Sequence, residues 1–265
     1  MANDVSTART TRTTGTAGKT RVPMTSTRRT ALVAGVFYLV TFVSIPTLGL
    51  YGTVKTDLGF ITTPGSSTGI LWGAFLEVIV ALAGIGTAVT LFPVVKRQNE
   101  GRAIGFVAVR TLEAAMIFTG VLSLLALVHL RDGLATTTGA DTGALQTTGA
   151  ALIAVYNGTF LLGQTLMPCM SALLLGTLMY QSRLVPRVLP VMGLIGAPML
   201  IASSVAVFFD VIAPISTWSG IATAPIALWE LTLGLWLTFK GFRPSPITAA
   251  IDGARSPSSV GTTTA

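Results

Sequence analysis

Apolar residues in this chain gather into six long runs, at 31–50, 69–95, 104–128, 149–180, 187–211 and 217–240, separated by short polar stretches. An α-helix needs about 20 apolar residues to cross a hydrocarbon core roughly 30 Å thick, and every run reaches that length. None alternates apolar and polar residues as a barrel strand does. A backbone in lipid must also satisfy its own hydrogen bonds. The pattern therefore predicts an all-α fold, a polytopic membrane helix bundle with six transmembrane helices. Residues 1–30 are rich in Thr, Ala and Gly, and residues 244–265 in Pro, Ser, Thr and Gly. Neither segment shows an apolar period, so both are predicted to be disordered tails around a transmembrane domain at 31–243. The loops at 51–68, 129–148 and 212–216 are small and polar, which argues against a large folded ectodomain.

Composition agrees with this reading. Hydrophobic residues make up 51% of the chain and charged residues 10%, where a soluble domain carries about 25% charged residues. A net charge of +7 would point to nucleic acid if it formed one patch, but it is divided among the flanks of the runs, so no nucleic-acid partner is expected. It sets orientation instead. Of the sixteen basic residues other than Arg110, fourteen fall in the N-terminal tail, the 96–103 loop, the 181–187 turn and, from Lys240 on, the C-terminal tail; only Lys55 and Arg131 fall on the other side. That split predicts both termini in the cytoplasm and an even number of membrane crossings. Thr27-Arg28-Arg29-Thr30 before an apolar run resembles a twin-arginine export signal. The absence of an Ala-x-Ala-like cleavage site, and the five further runs, favour a cytoplasmic tail.

Candidate chemistry is sparse. One cysteine, Cys169, and one histidine, His129, provide neither a disulfide nor a His/Cys metal set, and no cofactor is expected. Four charged residues lie well inside the runs, away from their ends: Glu77, Arg110, Glu113 and Glu230. Charge in lipid is costly and survives where it is paired or used. Arg110 and Glu113 stand three residues apart and share a helix face. At 1.5 Å per residue, Arg110 lies about 9 Å, Glu113 about 13 Å and Glu230 about 15 Å from the cytoplasmic ends of their runs, which predicts one cluster. Glu77 lies about 27 Å from its cytoplasmic end, apart from the others and toward outer water. Asn157, Gln164 and Ser171 recur every seven residues in the fourth run, as a polar stripe that either lines a cavity or bonds neighbouring helices. Gly69-x-x-x-Gly73 offers a close-packing face. Pro46, Pro168, Pro198 and Pro225 predict kinks, with Pro168 the leading candidate for a bend.

Several segments, in order, carry a family likeness: Lys96-Arg97-Gln98-Asn99-Glu100; Gly105 through Arg110-Thr111-Leu112-Glu113-Ala114; Ser182-Arg183-Leu184-Val185-Pro186-Arg187; Leu228-Trp229-Glu230-Leu231-Thr232-Leu233-Gly234-Leu235-Trp236; and Lys240-Gly241-Phe242. Together they resemble the bacterial six-helix membrane family known as domain of unknown function 4386, over about residues 28–243. The resemblance implies a six-span inner-membrane fold and no activity. It places the family's Arg-x-x-Glu pair at Arg110 and Glu113 and its late acid at Glu230.

Three functions are compatible with these residues. The reading favoured here is a non-catalytic membrane protein in which the Arg/Glu cluster holds the bundle together, with a membrane-protein partner or a second copy left open. The alternative is a transporter or channel for a small solute, ion or proton, using Arg110, Glu113, Glu230, Gln164 and Glu77. An intramembrane enzyme ranks last, because no metal set, paired nucleophile or phosphate loop is present.

Overall fold

The computed structural model describes residues 24–51, 54, 58–62, 65–134 and 141–254. Expectations for residues 1–23 and 255–265, and for Lys55 and Asp57, lie outside the described residues. Those described are all-helical, with no strand among them. Six helices are long and apolar enough to cross a membrane.

Span one is the helix Ser26–Thr41, continued by a 3₁₀ turn Phe42–Ser44 and a short helix Ile45–Leu50. Span two is Thr68–Val95 and span three Glu100–Leu134. Span four comprises the α-helix Thr142–Thr159, a π-helical segment Phe160–Leu166 and a second α-helix Met167–Ser182. Span five is Val188–Phe208 and span six Thr217–Phe239. Each span packs against its neighbours in sequence, and span six returns to pack against span one. The result is a ring of six helices closed in chain order.

Small residues let these helices approach. Span two buries Gly73, Ala74, Ala81, Ala83, Gly84 and Ala88, while Leu71, Phe75, Leu82 and Val89 face outward. This distribution suits a lipid surround, where small residues bring backbones together and large apolar ones meet acyl chains. Spans one and six approach closely. A Cβ at Gly35 would lie 2.5 Å from the Thr238 backbone nitrogen and 2.8 Å from the Gly234 carbonyl oxygen. The small-residue pair predicted at Gly69 and Gly73 serves a different contact. Gly73 receives the Tyr51 ring, which would sit 2.5 Å from an added Cβ.

Several helices begin earlier or end later than the apolar runs. Asp141 caps span four by accepting hydrogen bonds from Gly143 N–H at 2.9 Å and Ala144 N–H at 3.2 Å, so the helix starts seven residues before position 149. A capped terminus satisfies its own donors and extends into water without apolar residues.

Two segments predicted to be disordered carry structure. Span one begins at Ser26, with Thr25 as its cap. Beyond span six, Pro246–Gly253 forms a helix closed by a reciprocal Ser245–Thr248 capping box. Asp252 on that helix accepts from the Thr27 hydroxyl at 2.7 Å and from Thr27 N–H at 3.2 Å. Span one is thereby tied to the helix that follows span six, at one end of the ring. Arg28 adds to this tie by donating to the carbonyls of Leu237 at 3.0 Å and Thr238 at 2.7 Å, the last turn of span six, where a cation is favoured. Gly241 turns the chain at φ 77°, a conformation costly for other residues, and Arg28 Cδ would lie only 3.1 Å from a Cβ there. The turn brings Arg243 N–H to within 2.8 Å of the Leu184 carbonyl.

Candidate functional site

Two polar layers cross the ring. In the first, Arg110 of span three is 2% exposed. Its Nη1 donates to both carboxylate oxygens of Glu113, at 3.1 and 2.9 Å, and its Nη2 donates to Glu230 Oε1 at 2.6 Å. The i,i+3 spacing supplies the first contact locally. The second spans the ring, since spans three and six are not neighbours in it. The Tyr38 ring of span one stands beside the guanidinium, 5.6 Å from its centroid. Arg110 Nε is buried without a hydrogen-bond partner among the described residues. The Glu113 side chain is 10% exposed and that of Glu230 16%, so the carboxylates, not the guanidinium, form the more open side.

The second layer is built around Glu77 of span two, which is 1% exposed. The Tyr156 hydroxyl donates to Glu77 Oε1 at 2.7 Å and Gln164 Nε2 donates to the same oxygen at 3.3 Å. Tyr51 packs edge-on to Tyr156, with ring centroids 5.5 Å apart. The expectation that Glu77 faces outer water is corrected by this burial. Span four folds over it and supplies hydroxyl and amide donors in place of water. Glu77 remains separate from Arg110, Glu113 and Glu230, as two layers rather than one cluster and an exposed outlier.

The seven-residue stripe does not survive in span four. Gln164 reaches Glu77, Asn157 is exposed, and the Ser171 hydroxyl is buried without a partner among the described residues. A period of seven assumes α-helical winding throughout, whereas the π segment Phe160–Leu166 winds more widely and shifts the face that follows it. Where a bend was expected, at Pro168, span four has this π segment, which ends at Leu166, two residues before the proline. Pro lacks an N–H and cannot complete a regular turn with the residue four before it, here Gln164. Gly163 within the segment abuts Met116, whose Cβ would lie 2.5 Å from an added methyl group, so the wide turn packs closely on span three.

Three aromatic hydroxyl residues escaped sequence reasoning: Tyr38, Tyr51 and Tyr156, each about 1% exposed. Their signal was a tyrosine within or at the end of an apolar run, because a buried phenol seeks a partner. Among the described residues, no group of three or more His, Cys, Asp or Glu side chains is placed to hold a metal ion. His129 is exposed, with Nδ1 2.8 Å from the Leu125 carbonyl oxygen. Arg131, read from sequence as an outer-side loop charge, lies in the last turn of the span-three helix and is buried, with its guanidinium 3.9 Å from the centroid of Phe60 and Nη1 donating to Ser67 at 3.3 Å.

Six apolar helices closed in a ring, with ionisable side chains paired inside, define a multi-pass integral membrane protein. The chain belongs to the family described as Domain of unknown function (DUF4386), whose sequence pattern matches residues 33–241. No curated protein and no solved structure matches it.

Proposed function

We propose that this is a non-catalytic membrane protein whose Arg110–Glu113–Glu230 network is a structural brace across the ring. The observation carrying this reading is the pairing of a 2%-exposed guanidinium with carboxylates on two spans that are not neighbours in the ring. A buried charge without its partner is strongly destabilising, so such a network holds spans three and six in one register. The same reading places both termini in the cytoplasm of a bacterial cell, in the inner membrane. Support for that orientation comes from Arg28, Arg29, Lys96, Arg97, Arg102, Arg183, Arg187, Lys240 and Arg243, which mark one end of the bundle.

A second reading, a carrier for a small solute, ion or proton, is favoured by one observation. The π segment of span four lies between Tyr156 and the second half of the span, contributes Gln164 to the Glu77 layer and touches span three beside Glu113. Such wide turns recur at functional sites. The two readings separate on Glu113→Gln and Glu230→Gln, made singly, with membrane abundance and solute uptake across pH both measured. The brace predicts lost abundance with no separate change in uptake. Normal abundance with altered uptake would replace the brace with the carrier.

A further inference from the structure

Spans two and three leave a groove of about 210 Å³ between them, lined by Val89 and Phe92 on one side and Ile104 and Val107 on the other. Val89 and Ile104 are 58% and 53% exposed, while Phe92 and Val107 are partly buried. Val89 lies seven residues before Lys96, and Val107 seven after Glu100, so the groove reaches about 10 Å into the apolar zone from that end of the bundle. This is the depth of the first half of a lipid acyl chain.

The mouth of the groove is basic. The Lys96 ammonium sits 5.3 Å from the Phe92 ring centroid, directly at the groove wall. Arg97 beside it is exposed. Arg102 is turned toward span four, where its Nη1 donates to Gln181 Oε1 at 3.0 Å. Glu100 is the one acid in this turn, leaving a net positive charge over Lys96, Arg97, Glu100 and Arg102.

We propose that this groove is a binding site for an anionic phospholipid, with one acyl chain against Phe92 and Val107 and the headgroup phosphate held by Lys96 and Arg97. Neither feature suffices alone. An apolar groove in lipid takes any acyl chain, and a basic loop attracts any anionic surface. Their adjacency, with Lys96 stacked on a wall residue, selects a lipid that supplies both parts at once.

The test uses the full chain in detergent and in nanodiscs, titrated with phosphatidylglycerol or phosphatidylcholine, with bound lipid counted by native mass spectrometry and Tm followed. The expected result is a preference for phosphatidylglycerol on the order of tenfold, accompanied by a rise in Tm. Lys96→Gln with Arg97→Gln should abolish the preference. Ile104→Trp and Val89→Trp, which fill the groove from opposite walls at exposed positions, should each lower phosphatidylglycerol binding with both charges intact. Tm in phosphatidylcholine reports whether each variant is folded, and two independent groove variants keep the test decisive if one is not. Equal binding of the two lipids overturns the proposal. So does loss in the charge variant alone, which means diffuse surface attraction, or loss in the groove variants alone, which means an apolar contact without headgroup recognition.

Discussion

The two polar layers solve the same problem by different means. At Arg110 the ring is crossed by ions, with a guanidinium divided between a local carboxylate and a remote one. At Glu77 it is crossed by neutral donors from span four, a phenol and a primary amide converging on one carboxylate oxygen. The ionic layer gains more from each contact and loses more when a partner is removed, because the remaining charge stays buried. The hydrogen-bonded layer is more forgiving, since losing one donor leaves the other. The chain thus places its least replaceable contact between spans three and six and a softer one between spans two and four, where the π segment already departs from regular winding.

Removing one side of each layer should expose that difference. Arg110→Leu, which strands two carboxylates, is expected to cost about 3–5 kcal/mol and to reduce membrane abundance severely. Thermal unfolding in detergent, with quantitation of membrane fractions, checks both effects. Gly35→Leu is a control outside both layers. Its neighbours are backbone atoms of span six, which cannot rotate away, so separating spans one and six should cost about 1–3 kcal/mol with the Arg110 pairs intact. Tyr156→Phe should cost less than Arg110→Leu, about 1–2 kcal/mol by denaturant titration, because Gln164 still bonds Glu77. A cost equal to that of Arg110→Leu would erase the contrast between the layers. Asp252→Ala should have the smallest effect, about 1 kcal/mol or less, seen as faster proteolysis at the chain ends with the spans unchanged.

The ionic layer could be read from sequence because one contact is local and the other, though 120 positions away, joins two regularly wound spans whose depths can be counted. Three residues separate Arg110 from Glu113, and counting residues from the ends of two apolar runs sets Glu230 near the same depth. The Glu77 layer could not be read so directly. Its donors lie 79 and 87 positions away, and their register depends on a π segment that no apolar period announces. Asn157 was drawn into the polar stripe for the same reason, since uniform winding gave the face to Asn157 where the fold turns Tyr156 inward. Apolar runs reported the six spans well because lipid enforces length. They missed the helices that water and caps allow, such as Pro246–Gly253, where Ser245, Thr248 and Asp252 act locally and leave no hydrophobic signature.

The brace is tested most directly by a double-mutant cycle on Arg110→Gln and Glu230→Gln, with unfolding free energies measured in detergent for both singles and the double. A brace predicts a coupling energy of about 1.5 kcal/mol or more, with the double variant no less stable than Arg110→Gln alone. Coupling below about 0.5 kcal/mol, with the two single effects simply adding, would contradict it.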